Sequence, residues 1–359
     1  MTGGSKYLAT SLCFSLFVAC VAVRVSAPAS RSSAPEAEKA SANGIKEDKQ
    51  PPPGDYPSPL TKLDIEQWMK ELSNWGRWGP NDQSGTLNLI TAAKRIQAAA
   101  LVKSGQAVSL AHDDLTEPAV DNTPPFGHKM LTTGATSSAE FATDQYVETF
   151  HTLAITHLDA LAHMFSGNSL YNGFPRRSVT EAGAQKLSVI QMKDGIFSRG
   201  ILFDMPRLKG QPYLKPGTRI FPKDLDQWAK EAGVAIEPGD VVLIRTGRWA
   251  RREKIGPWDV FKSSAGLDAS CARWLRTHDV AVLGSDVESD VLPSGISGVP
   301  MPIHLLTLAA MGTPILDNLD LERIASMAAQ QHRWVFLFSL APEPVPGGTG
   351  SPVNPTAIF

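Results

Sequence analysis

The chain has 359 residues, a formal net charge of −2 and 42% hydrophobic residues, with Lys and Arg spread along its length rather than gathered in a stripe. That distribution excludes nucleic acid as the partner, because neutralising phosphates takes clustered cations. Of its 3 cysteines, Cys13 and Cys20 lie in the first 20 residues and only Cys271 lies deep in the chain. A disulfide framework is therefore excluded, and a hydrophobic core must supply the stability.

The opening "MTGGSKYLATSLCFSLFVACVAVRVSAPAS" has an early lysine, an apolar run from Leu8 to Val23 and then small residues around "VSA". A run this short before a small-residue cleavage site predicts a signal peptide over residues 1–27 rather than a membrane span, which takes roughly 20 apolar residues. The expected location is secreted or periplasmic. Cys20 behind "FVA" is a loose match to a lipoprotein cleavage box, which leaves a lipid anchor as the minor alternative. Residues 28–59 are rich in Ala, Ser, Pro, Lys and Glu and cannot bury enough surface to offset ordering, so they read as a tether. Roughly 300 residues follow without a second linker, which predicts one domain over 60–359.

Within that domain "KLDIEQWMKELSNWG" places Leu63, Ile65, Trp68, Met69 and Leu72 at helical spacing and stops at Gly76. Turn chemistry follows in "RWGPNDQSGTLNLIT", and Thr91 caps a second helix. The later half alternates. "DLDQWAKEAG", "LDASCARWLRTH", "IHLLTLAAMG" and "LERIASMAAQ" read as helices, and "DVVLIRTG", "VAVLGSD", "PILDN" and "RWVFLFSLAP" as strands. Strands that are apolar at nearly every position are buried on both faces, so an α/β fold with helices covering the sheet is predicted. In such folds chemistry gathers on loops at strand ends, here "RTGRW" and "GSDVESD".

Three of the 8 histidines fall in "FHTLAITHLDALAHMF", residues 150–165. His157 and Asp159 lie two apart, which puts both side chains on one face of an extended segment. His163 follows, and "DALAH" reads as the opening turn of a helix. Imidazole and carboxylate together suit zinc and other divalent first-row ions, and a mixed set with an open position is the catalytic kind. Thr156 is placed to orient a ligand. On a straight strand His151 would lie about 20 Å from His157, so it reaches the same ion only if "TLAI" bends back.

These residues resemble the metal-binding signature HxGTHxDxPxH of the cyclase family, which includes bacterial kynurenine formamidase and isatin hydrolase. Thr156, His157, Asp159 and His163 match it, while Leu153, Ile155 and Leu161 replace its first histidine, its glycine and its proline. A longer branch, close to HGxxxTHxDAxxH, fits better: His151, Thr156, His157, Asp159, Ala160 and His163 are in place and only Thr152 departs. "NWGRWGPNDQSGTLNLI", "MFSGNSLYNG", "GDVVLIRTGRW", "PMPIHLLTLAAMGTPILDNLDLERIA" and "GGTGSPVNPTAIF" extend the resemblance over about residues 60–359.

The resemblance implies a swivelling β/α domain with a mixed sheet, a divalent ion such as Zn2+ or Mn2+, a small-molecule substrate and a homo-oligomer. It implies hydrolysis of an amide, lactam or related carbonyl bond. By the same resemblance His151, His157 and Asp159 are metal ligands, and Asp317 stands where short members carry a glutamate ligand. His163 corresponds to the histidine that handles protons or holds a second ion, and His304 to the one that completes the site. Two other readings stand beside this one. The replaced first histidine leaves room for a binding protein that keeps the fold without the ion, and the same groups serve a lactone hydrolase or a ring-closing dehydratase.

Several signals read as structural. Asp286, Glu288 and Asp290 in "GSDVESD" follow a buried strand, where carboxylates can add a ligand, but are also ordinary loop residues, and Asp317 has a helix-capping alternative. "GGTGSP" lacks the Lys-Ser/Thr of a phosphate loop. Trp75 and Trp78 read as packing, and Cys271 as buried filler rather than a nucleophile.

Overall fold

The computed structural model describes residues 60–359, which fall within one compact unit spanning Gln50–Phe359. The expected signal peptide, Cys20 and the whole tether lie outside the described residues.

Among the described residues the main sheet has nine strands. In spatial order they are Ala107–Ser109, Thr356–Ile358, Val335–Leu340, Ile196–Asp204, Val241–Arg245, Val282–Ser285, Ile315–Asp317, His157–Asp159 and Gly350–Pro352. The four consecutive strands from Ile196–Asp204 to Ile315–Asp317 pair in parallel, and every other pairing in the sheet is antiparallel. Three of the parallel strands, Val241–Arg245, Val282–Ser285 and Ile315–Asp317, are apolar runs of the sequence; the fourth, Ile196–Asp204, carries Ser198, Arg199 and Gly200 and is not one of the segments predicted as strands, while the predicted run Val335–Leu340 pairs antiparallel instead. Val241, Val242, Leu243 and Ile244 are all buried, as are Val282 and Leu283, so each is covered on both faces as a central parallel strand must be. The fold is a mixed α/β domain, as the alternating pattern predicts.

The helices form where the sequence places them. Lys62–Glu71 starts at Thr61, whose hydroxyl accepts from Asp64 N while the Asp64 carboxylate accepts from Thr61 N; its Ile65 and Trp68 face the core. Ala92–Ala99 starts at the Thr91 cap. Pro222–Ala232 opens on proline, which has no N–H to waste there, and closes at Gly233 in the left-handed region. Cys271–Thr277 and Glu322–Gln331 fill two of the remaining crossovers. "IHLLTLAAMG" departs from a regular helix: a short α-turn, Pro302–His304, runs into a π-helix, Leu305–Met311, ended by Gly312. π-turns of this kind recur at functional sites because they re-aim side chains.

The antiparallel edge is what positions the histidine window. Strand His157–Asp159 lies between Ile315–Asp317 and Gly350–Pro352, so that His157 faces Asp317 on one side and Pro352 on the other. Leu158, at the centre of the strand, is fully buried in the main core. Gly350 is required here: a Cβ on it would overlap the Leu158 carbonyl and lie 2.8 Å from His151 Cε1. Thus "GGTGSP", without helix or phosphate chemistry, supplies the closing strand of the site.

Candidate metal centre

"TLAI" does bend back. His151 adopts φ +31, and residues 151–155 turn so that its Nδ1 stands 2.7 Å from Asp159 Oδ1, with Nε2 3.0 Å from Thr349 Oγ1. The ring centroids of His151 and His157 are 5.6 Å apart. "DALAH" does not form the predicted helical turn: after the strand, residues 160–163 form a turn rather than a helix, closed by His163 N donating to Ala160 O. The turn swings His163 back over the strand, where its ring stacks on His151 at 3.9 Å and its Nε2 lies 3.9 Å from Asp159 Oδ2.

His157 Nδ1 donates to the Ile155 carbonyl at 3.2 Å, which leaves Nε2 directed toward Asp159 Oδ1, 3.7 Å away. Thr156 acts on the scaffold rather than on the imidazole: its hydroxyl donates to the Asn318 carbonyl at 2.7 Å and so ties the two ligand-bearing segments together.

The second half of the site comes from the carboxyl ends of the parallel strands, where ligands gather in open α/β sheets. Asp317 ends strand Ile315–Asp317, and its Oδ2 lies 3.0 Å from His304 Nε2. It is not a helix cap; Asp320 serves the following helix through Glu322 N. His304 is fixed from behind by Asp290, whose carboxylate accepts from Ile303 N at 2.7 Å, from His304 N at 3.0 Å and from His304 Nδ1 at 2.7 Å. With its proton on Nδ1, the ring presents a bare Nε2 to Asp317 and to Asp159 Oδ2, 3.7 Å away. This is the carboxylate–histidine arrangement that orients and sharpens a metal ligand.

Two donor sets therefore converge, His151/His157/Asp159 and Asp159/His304/Asp317, each with its ligand atoms within 4.8 Å of one another and with Asp159 common to both. The residues fit a divalent cation on chemical grounds. A bare imidazole nitrogen facing two carboxylates inside the protein needs a proton or a cation between them. The mixed nitrogen and oxygen donors are those that zinc and manganese accept.

The electrostatics follow from this crowding. Burial works to raise the Asp159 pKa, but the neighbouring imidazoles, His163 first, outweigh it and hold the carboxyl well below the usual range. His163 is pushed down to about 4, chiefly by burial, against the attraction of Asp159 and with further lowering from the imidazoles of His151, His304 and His157. It is neutral near pH 7 and able to accept a proton. For His304 burial is outweighed by Asp317 and Asp290, and its pKa is raised well above the ordinary value.

The six candidates from the sequence, His151, His157, Asp159, His163, His304 and Asp317, thus stand together. Two carboxylates read as loop residues belong with them. Asp290 holds His304, and Glu288 is buried beside the cluster, its pKa pushed up to about 8 by burial and by Asp317 and Asp290, against the pull of His304 and Arg248. Their signal was present in "GSDVESD", three acids directly after a buried strand. Asp286, the first of them, remains structural, accepting from the N–H groups of Thr246, Gly247 and Arg248. Trp75 donates to the Ala309 carbonyl and packs against Gly173, and Trp78 lies under Arg77. Cys271 is fully buried against the Ile220 carbonyl, and burial raises its thiol pKa. A cleft of about 610 Å³ lined by Phe165, Asn168, Pro175, Arg176, Arg177 and Val179 opens just beyond His163 in the chain.

Comparison with known proteins places the fold. The cyclase family model matches residues 113–289. A solved structure described as a novel cyclase is 30% identical, with a TM-score of 0.73 over 80% of this chain and 99% of its own. An isatin hydrolase bound to the product analogue thioisatinate shares the fold at 19% identity and a TM-score of 0.52, covering 75% of this chain and 99% of its own. Isatin hydrolase A from Ralstonia solanacearum does so at 20% identity and a TM-score of 0.52, over 71% and 92%. No curated protein matches the chain. With a relative at this identity aligned over nearly its full length, and with the histidine window and its partners gathered at one sheet edge, the chain belongs to the cyclase family.

Proposed function

We propose that this protein is a metal-dependent hydrolase that cleaves an amide, lactam or related carbonyl bond of a small molecule. The observation that carries the reading is the convergence of two donor sets on Asp159, with a neutral, partly exposed imidazole, His163, next to them. His157 and Asp159, with His151, would hold a divalent ion from the strand side, and His304 and Asp317 from the helix side. Bound there, Zn2+ or Mn2+ would supply a Lewis acid for the carbonyl oxygen and a water whose pKa is lowered to about 7.

The chain's own residues do the rest. Asp290 fixes the tautomer and direction of His304 through three hydrogen bonds. His151, engaged by Asp159 and Thr349, limits the rotation of the Asp159 carboxylate. His163, with 29% of its side chain exposed and its Nε2 3.9 Å from Asp159 Oδ2, is placed to take a proton at Nε2 from the attacking water and return it to the leaving nitrogen or oxygen. Leu153, Ile155 and Leu161, where the shorter signature has other residues, are core side chains here. The bend that brings His151 to Asp159 supports an ion-holding site over a metal-free binding protein. Export guided by residues 1–27 and assembly into a homo-oligomer belong to the same reading.

The test is metal content by elemental analysis of the purified chain and of His157→Ala, followed by assay against lactams, linear amides and lactones. Near-stoichiometric Zn or Mn that disappears in the variant, with turnover of one of these classes, is the expected result. A folded parent that takes up no added metal would overturn the hydrolase reading.

A further inference from the structure

Three of the four carboxyl groups buried around His304 have partners. Asp159 faces the imidazoles of His151, His157 and His163, Asp290 accepts three hydrogen bonds, and Asp317 meets Ser289 Oγ and His304 Nε2. Glu288 has none. It is 5% exposed, and its Oε2 is closed off from solvent without a hydrogen-bond partner. Nor does it belong to either donor set. A buried carboxyl left without a donor carries the full cost of desolvation, and folded proteins keep such groups where a ligand completes them.

Two buried donors are also unmatched, Arg248 Nε and Asn318 Nδ2. The backbone ties one of them to the Glu288 segment. Asn318 directly follows the ligand Asp317, and its N–H donates to the carbonyl of Val287, the residue before Glu288. Arg248 in turn reaches Asn318 Oδ1 with Nη1 and the Leu153 carbonyl with Nη2. A buried carboxyl oxygen beside the cluster without a donor matches a group that offers an N–H.

We propose that Glu288 is a substrate-contacting residue whose carboxyl accepts the N–H adjacent to the scissile carbonyl, so that the site selects amides and lactams over esters and lactones. This rests on the hydrolase reading above. A site built to hydrogen-bond a donor rejects the analogue that lacks it far more strongly than an apolar pocket rejects a missing methylene, because its own polar group is then left unpaired. Selection between nitrogen and oxygen at the reacting bond is thereby assigned to one side chain that neither binds the ion nor moves the proton.

The experiment uses the metal-loaded chain with matched ring pairs, 2-piperidone with δ-valerolactone and isatin with its ring-oxygen analogue, each rate corrected for spontaneous hydrolysis. The lactam-to-lactone ratio of kcat/KM is compared in the parent, Glu288→Gln and Glu288→Leu, and metal content is measured in all three. The expected result is unchanged metal content, a ratio that falls about 100-fold in Glu288→Leu, and a largely retained ratio in Glu288→Gln, whose amide oxygen still accepts. If both variants keep the parental ratio, Glu288 does not read the N–H, while turnover by the parent leaves the hydrolase reading standing. If Glu288→Gln loses the metal, Glu288 is a ligand and the proposal is overturned. If the metal-loaded parent turns over neither series, the hydrolase reading fails for these rings and this proposal falls with it.

Discussion

Replacing Asp290 isolates the hydrogen bonds that orient His304 from the ion that His304 would hold. The Asp290 carboxylate is 1% exposed and is the acceptor for three buried donors, at 2.7, 3.0 and 2.7 Å. Each hydrogen bond to a charged group contributes roughly 1.5–3 kcal/mol, so simple addition would exceed what a single site usually costs. The three bonds share one carboxylate and are not independent, and breaking one buried charged partner typically costs about 3–5 kcal/mol. Asp290→Ala is therefore expected to lose about 3–5 kcal/mol against a total stability of about 5–15 kcal/mol and still fold at low temperature. Asp290→Asn keeps the shape and one acceptor oxygen, but turns an NH2 toward donors. It is expected to lose less stability and still to weaken metal binding about 10–100-fold, the usual effect of removing a ligand's orienting partner. Urea unfolding measures the first quantity and competition with a chelator for Zn2+ the second. If Asp290→Asn binds zinc as the parent does, the carboxylate does not set the direction of His304, and the account of the helix-side ligands is wrong.

Four further outcomes follow from the same geometry. His157→Ala is expected to lose bound metal and all turnover while unfolding near the parental temperature in the metal-free state, read by elemental analysis and calorimetry. Stripping the ion with a chelator is expected to lower the melting temperature of the parent, because the buried carboxylates then repel one another and a ligand that binds only the folded state at 100 times its Kd stabilises it by about 2.7 kcal/mol. Gly350→Ala places a methyl against Leu158 O and His151 Cε1, so it should displace the imidazole and weaken metal binding more than the same change at Gly134, where nothing lies nearby. Cys271, buried and with its thiol pKa raised, should react with a thiol reagent only on unfolding, in a chain whose Cys13 and Cys20 are replaced by serine.

The periodic parts of the fold were legible because burial imposes periodicity. The parallel strands Val241–Arg245, Val282–Ser285 and Ile315–Asp317 are short apolar runs and the helices between them carry amphipathic stripes and caps, both local signals, whereas Ile196–Asp204 is interrupted by Ser198, Arg199 and Gly200 and was not legible as a strand. The His157/Asp159 pair was legible for the same reason, since a two-residue spacing on a strand fixes a common face. What was not legible depends on pairing between distant segments. "DALAH" has helix-forming residues, yet the chain after Asp159 must turn so that Ala160 N can reach Thr349 O. That partner sits in a segment which by itself reads as glycine-rich coil. The reach of His151 hinged on a positive φ at a non-glycine residue, which tertiary contacts must impose. Asp290 was passed over because an acid in a loop is ordinary until the helix start it binds is known to carry the ligand.

The two ends of the centre are far apart along the chain: His151 and Thr349, which hydrogen-bond at 3.0 Å, are separated by 198 residues. Contacts of such separation form late, after the intervening loop entropy has been overcome. Nascent chains that lack the strand Gly350–Pro352 would hold the strand-side histidines without the pairing that aligns them. The ion would therefore be captured only once the whole sheet has closed, which makes bound metal a record of completed folding and a readout for separating native molecules from near-native ones.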